Sequence, residues 1–346
     1  MPSANANSKQ TGNEFYPTVV KSIVGAIKLM NYRNVFLSGL LLASASFGAD
    51  TGLLNLVMPD AKVVVGVDVT RAKASSLGQL FMQNMNLHDD GLGKFSSLTG
   101  FDPRRDVSEV VMASVDTSTT GKNPLMLVRG NFDAARIKTF LAENGLGAVQ
   151  SVQGIDMYSR KGDSNSIAFF DGGLAAAGDA SAVKAAIARR GGGATLPAAL
   201  FAKIQDMSND NDIWMVTSVP VAQFAGKMPS GTPEQIGGMM KGDMFSSVEQ
   251  AAMGVKFAAT MLNVTLEAAV RSEKDATAMA DVARFLSGMV QMNRDKSEVA
   301  GLASALDSMK LTTDAKNVRM TMSVPQAEIE KMMKHDRPKK TPSNKI

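Results

Sequence analysis

Cysteine is absent from all 346 residues. Its absence excludes a disulfide framework, a thiolate metal site, an iron–sulfur cluster, a cysteine nucleophile and a lipid-modified cysteine anchor. Histidine occurs only as His88 and His335, too few for a usual zinc set. Aromatic residues make up 5% of the chain and Trp214 is the single tryptophan, so the ring platforms of sugar-binding sites are scarce. There is no G-x-S-x-G, no Walker glycine loop and no G-x-G-x-x-G behind a strand. The triplet Gly191-Gly192-Gly193 follows its expected helix, whereas phosphate binding needs glycines ahead of one. No cofactor is expected, and no residue is assigned a catalytic role.

Long hydrophobic runs are also missing. The apolar stretch Val35–Phe47 has 13 residues, the length of a signal h-region and short of the ~20 that span a bilayer. Lys28 and Arg33 precede it, and Ala43-Ser44-Ala45 at its end fits an A-x-A cleavage site, with Ser46-Phe47-Gly48 as a second choice. Such a leader belongs at the start of a chain. We therefore expect translation from Met30, residues 1–29 as a mis-assigned extension, and residues 30–49 as the signal peptide. The other reading is a genuine extension with an amphipathic Phe15–Leu29 helix before an uncleaved anchor. Cleavage predicts an exported, periplasmic or extracellular protein with no transmembrane span in the mature chain.

Charge supports the same division. The first 49 residues carry +3 and residues 331–346 carry +5, which leaves residues 50–330 at −4 of the chain's +4. A mildly acidic body lacks the basic face that nucleic acid requires. The basic end, 334–346, reads as a disordered tail.

What is present is a recurring strand-to-helix unit: Val63–Phe81, Leu125–Leu141, Ile213–Met228 and Val318–Met333, the last two joined through Ser-Val-Pro. A meander occupies the region after Val152, and Asp179 is placed to cap a helix Ala180–Arg190 that the glycine triplet ends. Helical periodicity over Lys274–Met292 sets Ala278, Val282, Phe285, Leu286 and Met289 on one face. The fold class expected is α+β: two ferredoxin-like lobes from an internal duplication, residues 50–190 and 197–333, joined by a glycine-rich linker 191–196. Each lobe is an antiparallel sheet with helices packed on one face.

Two segments, "PDAKVVVGVDV" (Pro59–Val69) and "TGFDPRRD" (Thr99–Asp106), resemble those of an uncharacterised family of exported acidobacterial proteins, over about Leu53–Arg189. The resemblance implies export and carries no activity with it.

Four motifs offer chemistry, each with a plainer reading. Arg104 and Arg105, oriented by Asp102 and Asp106, suit a carboxylate or phosphate. Alternatively Asp102 caps a helical turn that Pro103 opens, and the arginines pair locally. Asp206, Ser208, Asp210 and Asp212 have the alternate spacing of a calcium loop, but Asn211 and Thr217 stand where it needs glycine and glutamate. A helix-to-strand loop explains them too. Ser181-Ala182-Val183-Lys184 matches S-x-x-K without its companion motifs. Sixteen of the 24 methionines lie at or beyond Met207. Most fill a core poor in aromatics, while Met239, Met240 and Met244 sit in a glycine-rich stretch suited to an apolar contact. These features point to a non-enzymatic binding or structural protein of the envelope, with an apolar ligand or envelope protein as partner. A hydrolase built on carboxylates is the other reading, and it requires a cleft holding two carboxyl groups of raised pKa.

Overall fold

Apolar and β-branched runs bounded by glycine, aspartate and asparagine become strands, and the periodic segments between them become helices. The computed structural model describes residues 48–84, 90–116, 124–159, 162–193, 195–219, 246–292, 294 and 300–329. In chain order the first half holds α1 (Thr51–Leu54), β1 (Val63–Asp68), α2 (Val69–Ala74), α3 (Ser76–Asn84), α4 (Asp90–Thr99) and α5 (Pro103–Asp106). It continues with β2 (Val107–Ser114), β3 (Leu125–Gly130), α6 (Ala134–Glu143), β4 (Gly147–Val152), β5 (Ile155–Ser159), β6 (Asn165–Phe169), β7 (Leu174–Asp179) and α7 (Ala180–Ala188). The second half holds α8 (Ala198–Asp210), β8 (Ile213–Thr217), β9 (Val248–Phe257), β10 (Met261–Val270), α9 (Glu273–Met292), α10 (Ala300–Asp307), β11 (Lys310–Asp314) and β12 (Asn317–Pro325).

One local device starts many of the helices. Asp50, Asp68, Asp102, Asp133 and Asp179 each precede a helix and accept its first free N–H groups through a carboxylate oxygen. Aspartate does this well because it satisfies an orphan donor and places negative charge at the positive helix end.

The expected two separate sheets are one. Among the described residues twelve strands pair in the order β11-β12-β10-β9-β8-β1-β2-β3-β7-β6-β5-β4. Each neighbouring pair is antiparallel, and the halves meet where β1 pairs with β8 from Val63↔Thr217 to Val67↔Ile213. A ferredoxin-like lobe brings strands side by side through helical crossovers, whereas most neighbours here are consecutive in sequence, with β1–β8, β3–β7 and β10–β12 as the exceptions. The join has a simple cause: Val64 and Val216 are both fully buried, and separate sheets would leave both strands as bare apolar edges.

Helices also cover both faces rather than one. The first face packs α2, α4 and α6 over β2, β3 and β5–β7, with Phe95, Phe101, Phe132 and Phe140 in edge and stacked contacts. Further along, α3 and α10 close over Phe257, Ile213 and Val324, and α9 closes over Val270 and Val318. The second face is sealed from β5 to β9 by α1, α7 and α8 through Leu53, Leu54, Val183, Ile187, Leu200 and Ile204. Trp214 lies in this layer, 1% exposed, between Gly66 on β1 and Gly254 on β9. A Cβ at Gly66 would run into the indole ring, so the strand position beside the tryptophan must lack a side chain.

Methionines form a row across the first face. Register places Met126, Met112, Met215, Met253 and Met320 in line, with Val65 and Leu266 completing it. Met126 is buried and the other four are half-buried. Their flexible thioethers fill the irregular space between helices that aromatic side chains fill elsewhere.

Candidate functional site

The segment Thr99–Asp106 takes its structural reading. Asp102 accepts the Arg104 N–H at 2.9 Å, Pro103 opens α5, and Asp106 accepts the Asp102 N–H at 2.8 Å. Arg105 is held within the turn, 2.7 Å from Asp106 and donating to the Gly100 carbonyl at 2.7 Å. That hydrogen bond from Arg105 holds the Asp106 carboxyl below its ordinary range. Arg105 is thus engaged within the turn, with its carboxylate partner Asp106 and the Gly100 carbonyl.

Most of the segment read as a helix-to-strand loop, with calcium as the other reading, is helix. α8 runs through Asp210, and helical geometry turns Ser208 inward, where it accepts the Ala49 N–H at 2.8 Å. Asp206 faces outward and pairs with Lys203 at 3.0 Å. Asp212 lies beyond the helix and accepts the Phe257 N–H at 2.7 Å. Alternate residues converge in a loop but diverge on a helix, so the four oxygens do not share a centre. Among the described residues no group of three or more acidic or histidine side chains is placed to hold a metal. Ser181 donates to Asp179 at the start of α7, an N-terminal capping role. Met239, Met240 and Met244, and likewise His88, lie outside the described residues.

A charged row that sequence spacing did not reveal crosses the second face. Asp212, Asp68, Glu109 and Arg129 come from four adjacent strand positions, and Arg71 and Asp50 stand over them. Arg71 lies 2.8 Å from Asp68 and 3.5 Å from Asp212, and it donates to the carbonyls of Ser208, Asn209 and Asn211 at the end of α8. A cation at that helix end meets the negative pole of its dipole. Arg129 pairs with Asp50 at 2.5 Å, and the Asp50 N–H reaches Glu109 at 3.1 Å. Burial, helped by the neighbouring Asp50 and Asp68 charges, pushes the Glu109 carboxyl up to about 7. Burial also raises Asp212. Both carboxyl groups are taken up by structural N–H donors, and strand β1 stands between them.

A groove of about 250 Å³ lies on the second face of the other half, between α8 and β11. Its floor is Ala252 and Ala269, and its centre is Glu267, paired with Lys203 at 2.7 Å and Arg319 at 2.9 Å. Glu109 and Asp212 do not line it.

The feature least explained by folding is the outward side of α9. Sequence periodicity puts Ala278, Val282, Phe285, Leu286 and Met289 together on one apolar face. The structure instead buries Ala276 and Ala280 against the sheet. Phe285 is 61% exposed, Met289 42% and Met292 87%. With Ala278 and Val282 these residues recur at steps of four and three, an apolar stripe from Ala278 to Met292 of the 20-residue helix. Small alanines let α9 sit close to the strands, and among the described residues Phe285 and Met292 stand mostly in solvent.

Comparisons with known proteins add a distant likeness only. No family model matches the chain, and no curated protein matches it. Solved structures of TP0453 in crystal forms III, I and IV align with TM-scores of 0.47, 0.44 and 0.45. They are 10%, 10% and 9% identical, and cover 85%, 82% and 81% of this chain and 100%, 96% and 96% of theirs. At these scores the likeness carries no inference about activity.

Proposed function

We propose that this chain is an exported, non-enzymatic binding protein of the cell envelope that docks an apolar partner on the outward stripe of α9. The stripe carries the reading. Single exposed apolar residues are ordinary on any surface, but a spaced series with Phe285 and Met292 mostly in solvent marks a contact face. Export is supported by the leader pattern and by the residues just after it. Ala49 is 7% exposed and Asp50 caps α1, so ordered, packed chain is present directly after the two candidate cleavage motifs. Internal duplication is supported by strand order. β8-β9-β10-β12-β11 on one side of the β1–β8 join mirrors β1-β2-β3-β7-β6 on the other, each with a helix after its third strand. The hydrolase reading is the weaker one, because the two raised carboxyl groups share no cleft.

Photo-crosslinking from position 285 in exporting cells tests the proposal. Expected are adducts from the envelope fraction at 285 and at 292, and none from exposed Glu249. Equal labelling at all three positions, or no adduct at 285, would overturn it.

A further inference from the structure

We infer that the chain forms a two-fold symmetric homodimer by pairing edge strand β11 with β11 of a second copy. A sheet of twelve strands in one line has two ends, and the ends differ. At β4 the ladder is irregular, with a register shift between Ala148 and Gln150, a bulge of the kind that blunts an edge. At β11 the register against β12 is unbroken from Lys310↔Thr321 to Asp314↔Asn317. Lys310, Thr312, Thr313 and Asp314 are all exposed.

The sequence of that edge complements itself. Laid antiparallel on its own copy about Thr312, Lys-Leu-Thr-Thr-Asp sets Lys310 opposite Asp314, Leu311 opposite Thr313 and Thr312 opposite Thr312. Opposite charges and paired threonines are favourable cross-strand neighbours, and a dyad makes each pair twice. The peptide groups agree with the same register. Asp314 and Asn317 flank a two-residue turn, Ala315 with φ +47° and Lys316. In the alternation of an antiparallel ladder, this turns the N–H and C=O of Lys310, Thr312 and Asp314 toward β12. Those of Leu311 and Thr313 point outward, and a dyad at Thr312 is the arrangement in which they bond each other. α9 packs on β11 as well as β12, so the edge strand is held in place by a helix behind it. A second copy fits better than an unrelated strand because the charges and the outward peptide groups agree on one symmetric register.

Sedimentation of the full chain in non-ionic detergent, where the apolar segment Val35–Phe47 is shielded, tests this inference. The wild type is expected to be a dimer at about 50 µM or below. Thr313→Pro removes only an outward N–H, so the variant is expected to keep its melting temperature and become monomeric. Lys310→Asp and Asp314→Lys are each expected to weaken dimerisation at least fivefold, and the double reversal to restore it, which a merely structural effect would not do. A monomeric wild type would overturn the inference. So would a dimer indifferent to Thr313→Pro, or single reversals that the double variant fails to rescue. None of these outcomes depends on the apolar partner of α9, which position 285 reports separately.

Discussion

Glu109 shows how much one residue can set the response to pH. Its carboxyl titrates near 7 in the folded protein against 4.5 for a free glutamate, because the charged form is desolvated beside Asp50 and Asp68. A raised acid binds its proton more tightly when folded. The corresponding stability is fully present below pH 4.5 and is lost as pH climbs through about 7. The displacement corresponds to roughly 3 kcal/mol. Glu109→Gln keeps an oxygen for the Asp50 N–H and removes the titration. Urea unfolding at pH 5 and pH 8 should therefore show a smaller difference in the variant than in the wild type. An unchanged difference would rule out Glu109 as the source. Gly66 makes a second single-residue case. Gly66→Ala forces a methyl into the Trp214 ring and should cost about 3 kcal/mol by overpacking. The lone tryptophan gives a clean fluorescence readout of that loss.

Among elements, helix starts are the most legible feature and helix faces the least. Asp102 and Asp179 can be read as caps because capping is a contact between neighbours in sequence. Asp179→Ala should cost about 1 kcal/mol, measured by chemical denaturation. The face of α9 escapes the sequence for a physical reason. Periodicity finds which residues are apolar and share a side, but not which side the sheet covers, and Ala276 and Ala280 pack closer than Phe285 can. The end of α8 is hidden in the same way. Asp206, Ser208 and Asp210 resemble loop residues by type, yet Ser208 is held inside by Ala49 and the helix continues. Because those oxygens diverge, about 2 mM calcium or excess chelator should leave the melting temperature unchanged. A calcium-dependent rise in the calorimetric scan would contradict that arrangement.

At the scale of the whole molecule, the halves share one sheet and the core cluster on its second face. The cluster on the second face draws Leu53 from α1, Ile187 from α7 and Ile204 from α8 around Val64, Val111 and Trp214. The glycine stretch that resembles a domain boundary is bridged from both sides. Thermal unfolding should therefore be a single cooperative transition, with tryptophan fluorescence and far-ultraviolet dichroism coinciding. Two separated transitions would mean two independent lobes. The leader proposed from the sequence makes a prediction at this scale too. N-terminal sequencing of the exported protein should find Ser46 or Ala49 first, since removal of Asp50 would strip the α1 cap and the Arg129 ion pair.

Sequence by itself determined the α+β composition, the strand and helix starts, the absence of cysteine chemistry and the leader pattern. Each of these depends on residue type or on neighbours a few positions apart. Tertiary structure alone decided three other things. It joined β1 to β8 across about 150 residues of chain. It gathered Asp68, Glu109, Arg129 and Asp212 into one charged row, and it turned the apolar side of α9 outward. These depend on which surfaces meet, and burial is a property of the pair of surfaces rather than of either sequence.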